Sequence, residues 1–325
     1  MLRSLLLSLA VATAALLAAP SAPAQTVTRD VRLIVPFAPG GTVDLLGRLL
    51  AEGLAPRMGG RSIVVENRSG AGTFIAMQAV AQAPADGHTL SLASGAVLAT
   101  APVLPGMAMP IDPDKALVPV ANLIRVPILL VGRPQAPFRD LAGLISYAKA
   151  HPGRLNIGQS GAGSLPHLLA ARLGHEAGIS MVEIQYRGGT PALLDVMAGN
   201  ADLYFSLLPE ALPHVRDGRL RPVAFASPER NPNLPDVPLV GDVLPGFVGD
   251  TAYGLAAAAG TPPEWISFWN AAVNEFMDRP ETREKMKALL LVPINGAPGD
   301  HRREIARDRE SWGQVIRAAG IRSGS

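Results

Sequence analysis

Apolar positions near the start of the chain fall into two periods. Val31, Leu33 and Val35 sit two residues apart in an apolar run, whereas Leu45, Leu46, Leu49, Leu50 and Leu54 recur at three- and four-residue intervals. The first pattern predicts a strand and the second an amphipathic helix. Pro36 and Pro39 stop the strand, and Gly40-Gly41-Thr42 leads into the helix. Glycines there leave N–H groups uncovered at the positive end of the helix dipole, which suits either a tight turn or a seat for a carboxylate or phosphate. The rhythm repeats: 62–66 reads as strand, 67–72 as a small-residue loop, 74–82 as helix and 89–93 as a third strand ending in Ser94-Gly95. Such alternation predicts a parallel sheet with its loops gathered at the C-terminal edge of the strands, where ligands bind.

Residues 101–119 are rich in Pro and Met without clear periodicity and read as a connection. From 117 to 131 the chain is apolar and β-branched, which predicts two strands interrupted at Pro127. A second set of units follows: helix over 138–149, strand 155–158, loop Gln159-Ser160-Gly161-Ala162-Gly163-Ser164, and helix 165–177 with Pro166 tolerated in its first turn. Strand 182–186, the turn Arg187-Gly188-Gly189-Thr190, helix 191–197, strand 202–205, helix 209–216 and strand 221–226 complete the block. Beyond a Pro-rich passage, 252–258 reads as a buried strand, and 262–277, 281–290 and 301–318 as helices. Only the middle block carries its own full set of units. Two α/β domains are therefore expected, the first over 25–128 and 228–325 and closed by the C-terminal helices, the second inserted at 129–227. Crossings near 127–133 and 223–227 would form a hinge, with loops from both halves converging on the cleft between them.

The opening changes where this chain is expected to work. Arg3, an apolar block over 5–19 and Ala22-Pro23-Ala24-Gln25 form a secretory signal, with cleavage expected after Ala24 and release into the periplasm. The absence of Cys excludes disulfides, thiolate metal sites and cysteine nucleophiles. The formal charge of +2 is nearly balanced, and Arg302, Arg303, Arg307 and Arg309 alternate with Asp300, Glu304, Asp308 and Glu310 as on a solvated helix face. Nucleic acid is discarded as a partner.

Candidate chemistry is sparse. Gly158-Gln159-Ser160-Gly161-Ala162 approaches G-x-S-x-G but ends in Ala, and Ser94 lacks the flanking glycines. Ser160 with His167 is the one hydrolase pair to weigh, yet no carboxylate is placed by sequence to orient the His. The six His form no metal-binding spacing, and neither 70–75 nor 161–166 carries the third glycine of a dinucleotide loop. Binding without catalysis remains: several loops offer Gly, Ser and Thr at helix starts, suited to an anion held by N–H and hydroxyl groups.

The ordered series Val35-Pro36-Phe37 with Pro39-Gly40-Gly41, Asp44 and Arg48, then Val65-Glu66-Asn67-Arg68 with Gly70-Ala71-Gly72, Asp86-Gly87, His151-Pro152-Gly153, the 158–163 loop with His167, Tyr186-Arg187-Gly188, Leu212-Pro213-His214 and Ala259-Gly260-Thr261-Pro262 resembles one family. It is that of the periplasmic solute receptors of tripartite tricarboxylate transporters, the Bug or TctC-like proteins. The resemblance implies an α/β, two-domain periplasmic binding protein of the type II-like, flytrap kind with two hinge crossings. It would close as a monomer on a small organic carboxylate and serve inner-membrane transporter subunits, with no cofactor, metal or catalytic residue; a receptor feeding a sensor protein is the alternative within that class. By the same resemblance Pro39, Gly40, Gly41, Thr42, Ser94, Gly95, Ser160, Gly161, Ala162, Ser164, Arg187, Gly188 and Ser206 are the binding residues; Asp44 and Arg48 read as structural, since an Asp in a first turn suits the helix dipole. Many relatives carry Phe-Asp-Asn where this chain has Phe205-Ser206-Leu207, which removes a carboxylate and argues against a cationic or amino-acid ligand. Thr251 and Ala252 stand where a Trp is common, which suggests a larger, more apolar pocket for an aromatic or branched carboxylate.

Overall fold

The computed structural model describes residues 25–323; the secretory signal expected over 1–24 lies outside them. Strand β1 (Val31–Val35) runs into helix α1 (Thr42–Leu54), and β2 (Ile63–Asn67), α2 (Phe74–Ala81) and β3 (Thr89–Ser94) follow. Short helices α3 (Gly95–Thr100) and α4 (Pro113–Ala116) lead to β4 (Leu117–Val126). After Pro127 come β5 (Ile128–Gly132), α5 (Leu141–Ala150), β6 (Asn156–Gln159), α6 (Leu165–Ala177), β7 (Val182–Gln185), α7 (Gly189–Ala198), β8 (Leu203–Leu207), α8 (Leu208–Arg216) and β9 (Arg221–Phe225). The chain closes with β10 (Thr251–Ala258), α9 (Pro263–Asp278), α10 (Pro280–Ala288), β11 (Val292–Pro293) and α11 (Pro298–Ala319).

These strands build two sheets, ordered β11-β4-β10-β3-β1-β2 and β7-β6-β8-β5-β9. The expected parallel pairing holds for β1 with β2 and β3, and for β6 with β7 and β8. Both sheets are nevertheless mixed, because the strands that carry the chain between them run the other way. β10 is antiparallel to β3 and β4, and β5 is antiparallel to β8 and β9. Pro127, which has no N–H to give a ladder, separates β4 of the first sheet from β5 of the second, and its carbonyl accepts the Leu208 N–H at 2.9 Å.

Each sheet has its own core. Leu46, Leu50 and Leu54 of α1 share a cluster with Leu33, Leu255 and the fully buried Trp269, whose indole N–H donates to the Gly87 carbonyl at 2.8 Å. Every residue of β10 is buried, as expected of a strand covered on both faces. Burying one Leu of this kind contributes about 1.5–3 kcal/mol. Around the second sheet, Ile157, Leu168, Leu169, Phe205 and Phe247 form another cluster. The C-terminal helix departs from expectation here. It does not close the first half alone: Trp312, Ile316 and the following Ile321 belong to the cluster of the second sheet, while Ile305 packs with Ile34 and Ala256 of the first. Glu304 of the same helix and Asp250, just before β10, both accept from Arg125 of β4, so three passages of chain meet beside the crossing.

Candidate ligand-binding cleft

Two small-residue loops, one from each half, are held in different ways. The first, residues 36–41, is fixed by Asp44, a side chain 2% exposed in the first turn of α1. Its Oδ2 accepts from the Gly40 N–H and from Arg48 Nε, both at 2.9 Å, and its Oδ1 from Asn67 Nδ2 at 2.9 Å. Asn67 Nδ2 also donates to the Phe37 carbonyl at 3.0 Å. Burial pushes the Asp44 carboxyl up, but the bonds from Arg48, Gly40 and Asn67 outweigh it and hold the group below the ordinary carboxylate range. Gly40 takes φ 87°, a conformation that favours glycine.

The second loop, residues 160–163, is held by a neutral ring. His167 is fully buried in the first turn of α6 and its Nδ1 accepts the Gly163 N–H at 3.1 Å. Burial holds the imidazole below its ordinary value, and Glu183 stands 3.9 Å from its Nε2 with its own carboxyl pushed up by burial. Ser164 caps α6 by accepting the His167 N–H at 3.5 Å. Thr100 Oγ1 donates to the Gly163 carbonyl at 3.4 Å, and a Cβ on Gly72 would lie 3.2 Å from the Ala162 carbonyl, so the loop rests directly on the first half of the molecule.

Between the loops stands a group that the sequence reading missed. Glu210, in the first turn of α8, reaches across so that its Oε1 accepts from the Thr42 N–H at 3.4 Å and Thr42 Oγ1 at 3.3 Å. Burial pushes its carboxyl up against the lowering effect of the Thr42 bonds. The Tyr204 and Tyr253 hydroxyls are raised by burial and by the Glu210 charge, and Ser160 hydrogen-bonds Tyr204. Phe37 meets the Tyr253 ring edge-on at 6.2 Å. Among the described residues no cation pairs with Glu210. Ser206 carries no carboxylate, and Glu210 supplies one from the following helical turn.

The expected site residues separate accordingly. Gly41, Thr42 and Ser160 come together around Glu210 and Tyr204. The Gly40 and Thr42 N–H groups are already bonded, to Asp44 and Glu210, whereas those of Gly41, Gly161 and Ala162 have no protein partner among the described residues. Pro39 and Arg187 are exposed, and Gly188 enters α7 at φ 126°. Ser94 caps α3 through the Val97 N–H at 3.5 Å, also lying 3.5 Å from Thr251 Oγ1. Gly95 therefore begins a helix, pressed so close to β10 that a Cβ would lie 3.2 Å from the Ala252 carbonyl. Ser206 is buried and donates to the Leu207 carbonyl at 3.2 Å. Ser160 and His167 engage Tyr204 and Gly163, not each other. An open groove of about 670 Å³, lined by Leu45, Pro209, Leu212, Pro213 and residues of α10, contains none of the expected site residues; the polar groups converge in the cleft instead.

Two α/β units joined by extended crossings, with loops of both meeting over enclosed polar groups, define a periplasmic binding protein. The chain belongs to the family described as the tripartite tricarboxylate transporter family receptor, whose model matches residues 46–321. It is 34% identical over 317 residues to protein BugT of Bordetella pertussis, spanning 96% of this chain and 95% of that one. Rpa4515 of R. palustris, solved with adipate, superposes with a TM-score of 0.86 at 34% identity, covering 91% of this chain and 98% of the other. MatC (Rpa3494) from Rhodopseudomonas palustris, solved with bound malate, gives 0.82 at 32% identity, covering 89% and 99%. The family is one of solute-binding receptors, and among the described residues no helix is long and apolar enough to cross a membrane.

Proposed function

We propose that this chain captures a small organic carboxylate in the cleft and delivers it to the inner-membrane subunits of a tripartite tricarboxylate-type transporter, without chemistry on the solute. It works in the periplasm after removal of residues 1–24, and its two halves close on the solute about the crossings. The observation that carries this reading is the meeting of Thr42 from one half with Glu210 of the other, beside Tyr204 and Ser160. The unpartnered N–H groups of Gly161 and Ala162 with the Ser160 hydroxyl form the seat for the solute carboxylate, each charge-assisted bond contributing about 1.5–3 kcal/mol. Contacts to both halves favour the closed state over the open one.

Ala162→Asp places a negative charge in that seat. The variant is expected to melt within a few degrees of the unaltered chain and to lose carboxylate binding about 100-fold or more in calorimetry. Unchanged affinity would remove the seat from residues 160–162. A thermal-shift screen finds the solute, because a ligand at 100 times its dissociation constant adds about 2.7 kcal/mol of stability.

A further inference from the structure

We infer that Glu210 selects the solute, and that the cleft takes a carboxylate which also carries a cationic nitrogen, received by Glu210. The inference rests on the reading of the cleft as a carboxylate site and adds the second half of the ligand. Both Thr42 bonds fall on Oε1. Oε2 lies over Gly189, where a Cβ would come within 3.0 Å of it and 2.9 Å of the Tyr204 hydroxyl, so the missing side chain leaves this oxygen reachable. The groups facing Glu210 are Thr42, Gly41, Gly189, Tyr204 and Tyr253. None of them is basic. A half-buried carboxylate near the Tyr204 and Tyr253 hydroxyls, without a cation of its own, opposes a second negative charge and favours a positive one. On the other loop Gly161 and Ala162 carry unpartnered N–H groups. The cleft thus offers donors for an anion on the second sheet's loop and an acceptor for a cation where α8 meets α1. A plain dicarboxylate satisfies only the first.

The test uses the purified full chain and matched pairs of probes that differ only in an amino group: adipate with 2-aminoadipate, butyrate with 4-aminobutyrate, valerate with 5-aminovalerate. Calorimetry is expected to give at least tenfold tighter binding for the amino-bearing member of the best pair. Glu210→Gln keeps the side-chain volume and an acceptor for Thr42 while removing the charge. It should weaken the amino-bearing member about tenfold and strengthen its plain counterpart. Gly189→Ala, which puts a methyl group against Oε2 without touching the charge, should weaken the amino-bearing member alone; it serves as the second variant should Glu210→Gln melt early. Plain acids bound as tightly as their amino counterparts, and unaffected by either variant, would overturn the role of Glu210 and leave the carboxylate seat standing. Failure of every probe in both series overturns the seat as well.

Discussion

The two loops that form the cleft look alike in sequence, each a run of small residues between a strand and a helix, but they are built to opposite ends. The first is anchored by an acid of its own helix. A buried carboxylate, Asp44, collects the Gly40 N–H, Arg48 and Asn67, and Thr42 is bonded to Glu210. The second is held at a single backbone position by a neutral ring, His167, and keeps the N–H groups of Gly161 and Ala162 unpartnered. A glycine loop at a helix start is therefore not by itself an anion seat; what matters is whether the protein already fills it. The acid in the first turn decides the case here. Asp44 anchors the first loop from within, and α6 has no acid in its first turn.

The largest test of this difference removes the anchor. Asp44→Ala leaves three donors without their acceptor and should cost about 3 kcal/mol in urea unfolding, with loss of solute binding as residues 36–41 loosen. A loss under about 1 kcal/mol would mean the carboxylate is not what fixes this loop. His167→Phe retains an aromatic ring in the second loop's support and strips the acceptor from one buried N–H. Its expected cost is smaller, about 1.5 kcal/mol, but it should weaken binding more than stability, because residues 161–162 carry the seat; equal stability losses in the two variants would erase the asymmetry.

The smallest effect is in pH. Burial holds His167 below its ordinary 6.5, so an unfolded chain takes up a proton that the folded ring refuses. That part of the stability is complete above pH 6.5 and is lost as pH falls toward the folded value. Glu183, pushed up by burial, returns some stability as pH falls further toward its ordinary 4.5. Asp44 is held below 3.8, so its contribution is complete above that pH and is lost only beneath it. Amide-exchange protection, corrected for intrinsic rates, should therefore fall at Gly163 and Ser164 as pH drops below 6.5 while Gly40 and Thr42 stay protected. Simultaneous loss in both would show that neither loop opens independently.

Much of the fold was legible because its signals are local. Pro127 marks the break between β4 and β5, and the apolar run over 252–258 marks β10. Strand direction was not, since antiparallel pairing of β10 and β5 depends on how the chain crosses between sheets. Nor was α3: Gly95 to Thr100 are all buried, so no polar face gives the helix a period. In the cleft, Gly41, Thr42 and Ser160 were found from their loops. Glu210 was not, because an acid in a first turn reads as ordinary support for the helix dipole, and its partner Thr42 lies 168 residues away.

The C-terminal helix gives the molecule an order in time. Its residues Trp312 and Ile316 complete the core around the second sheet, although every strand of that sheet is synthesised long before them. The middle block can assemble its strands early but cannot seal its interior until α11 has been made. Final consolidation of both halves thus falls to one late event, and a chain awaiting its last helix stays loose for longer, the condition in which a polypeptide can still be threaded through a narrow channel.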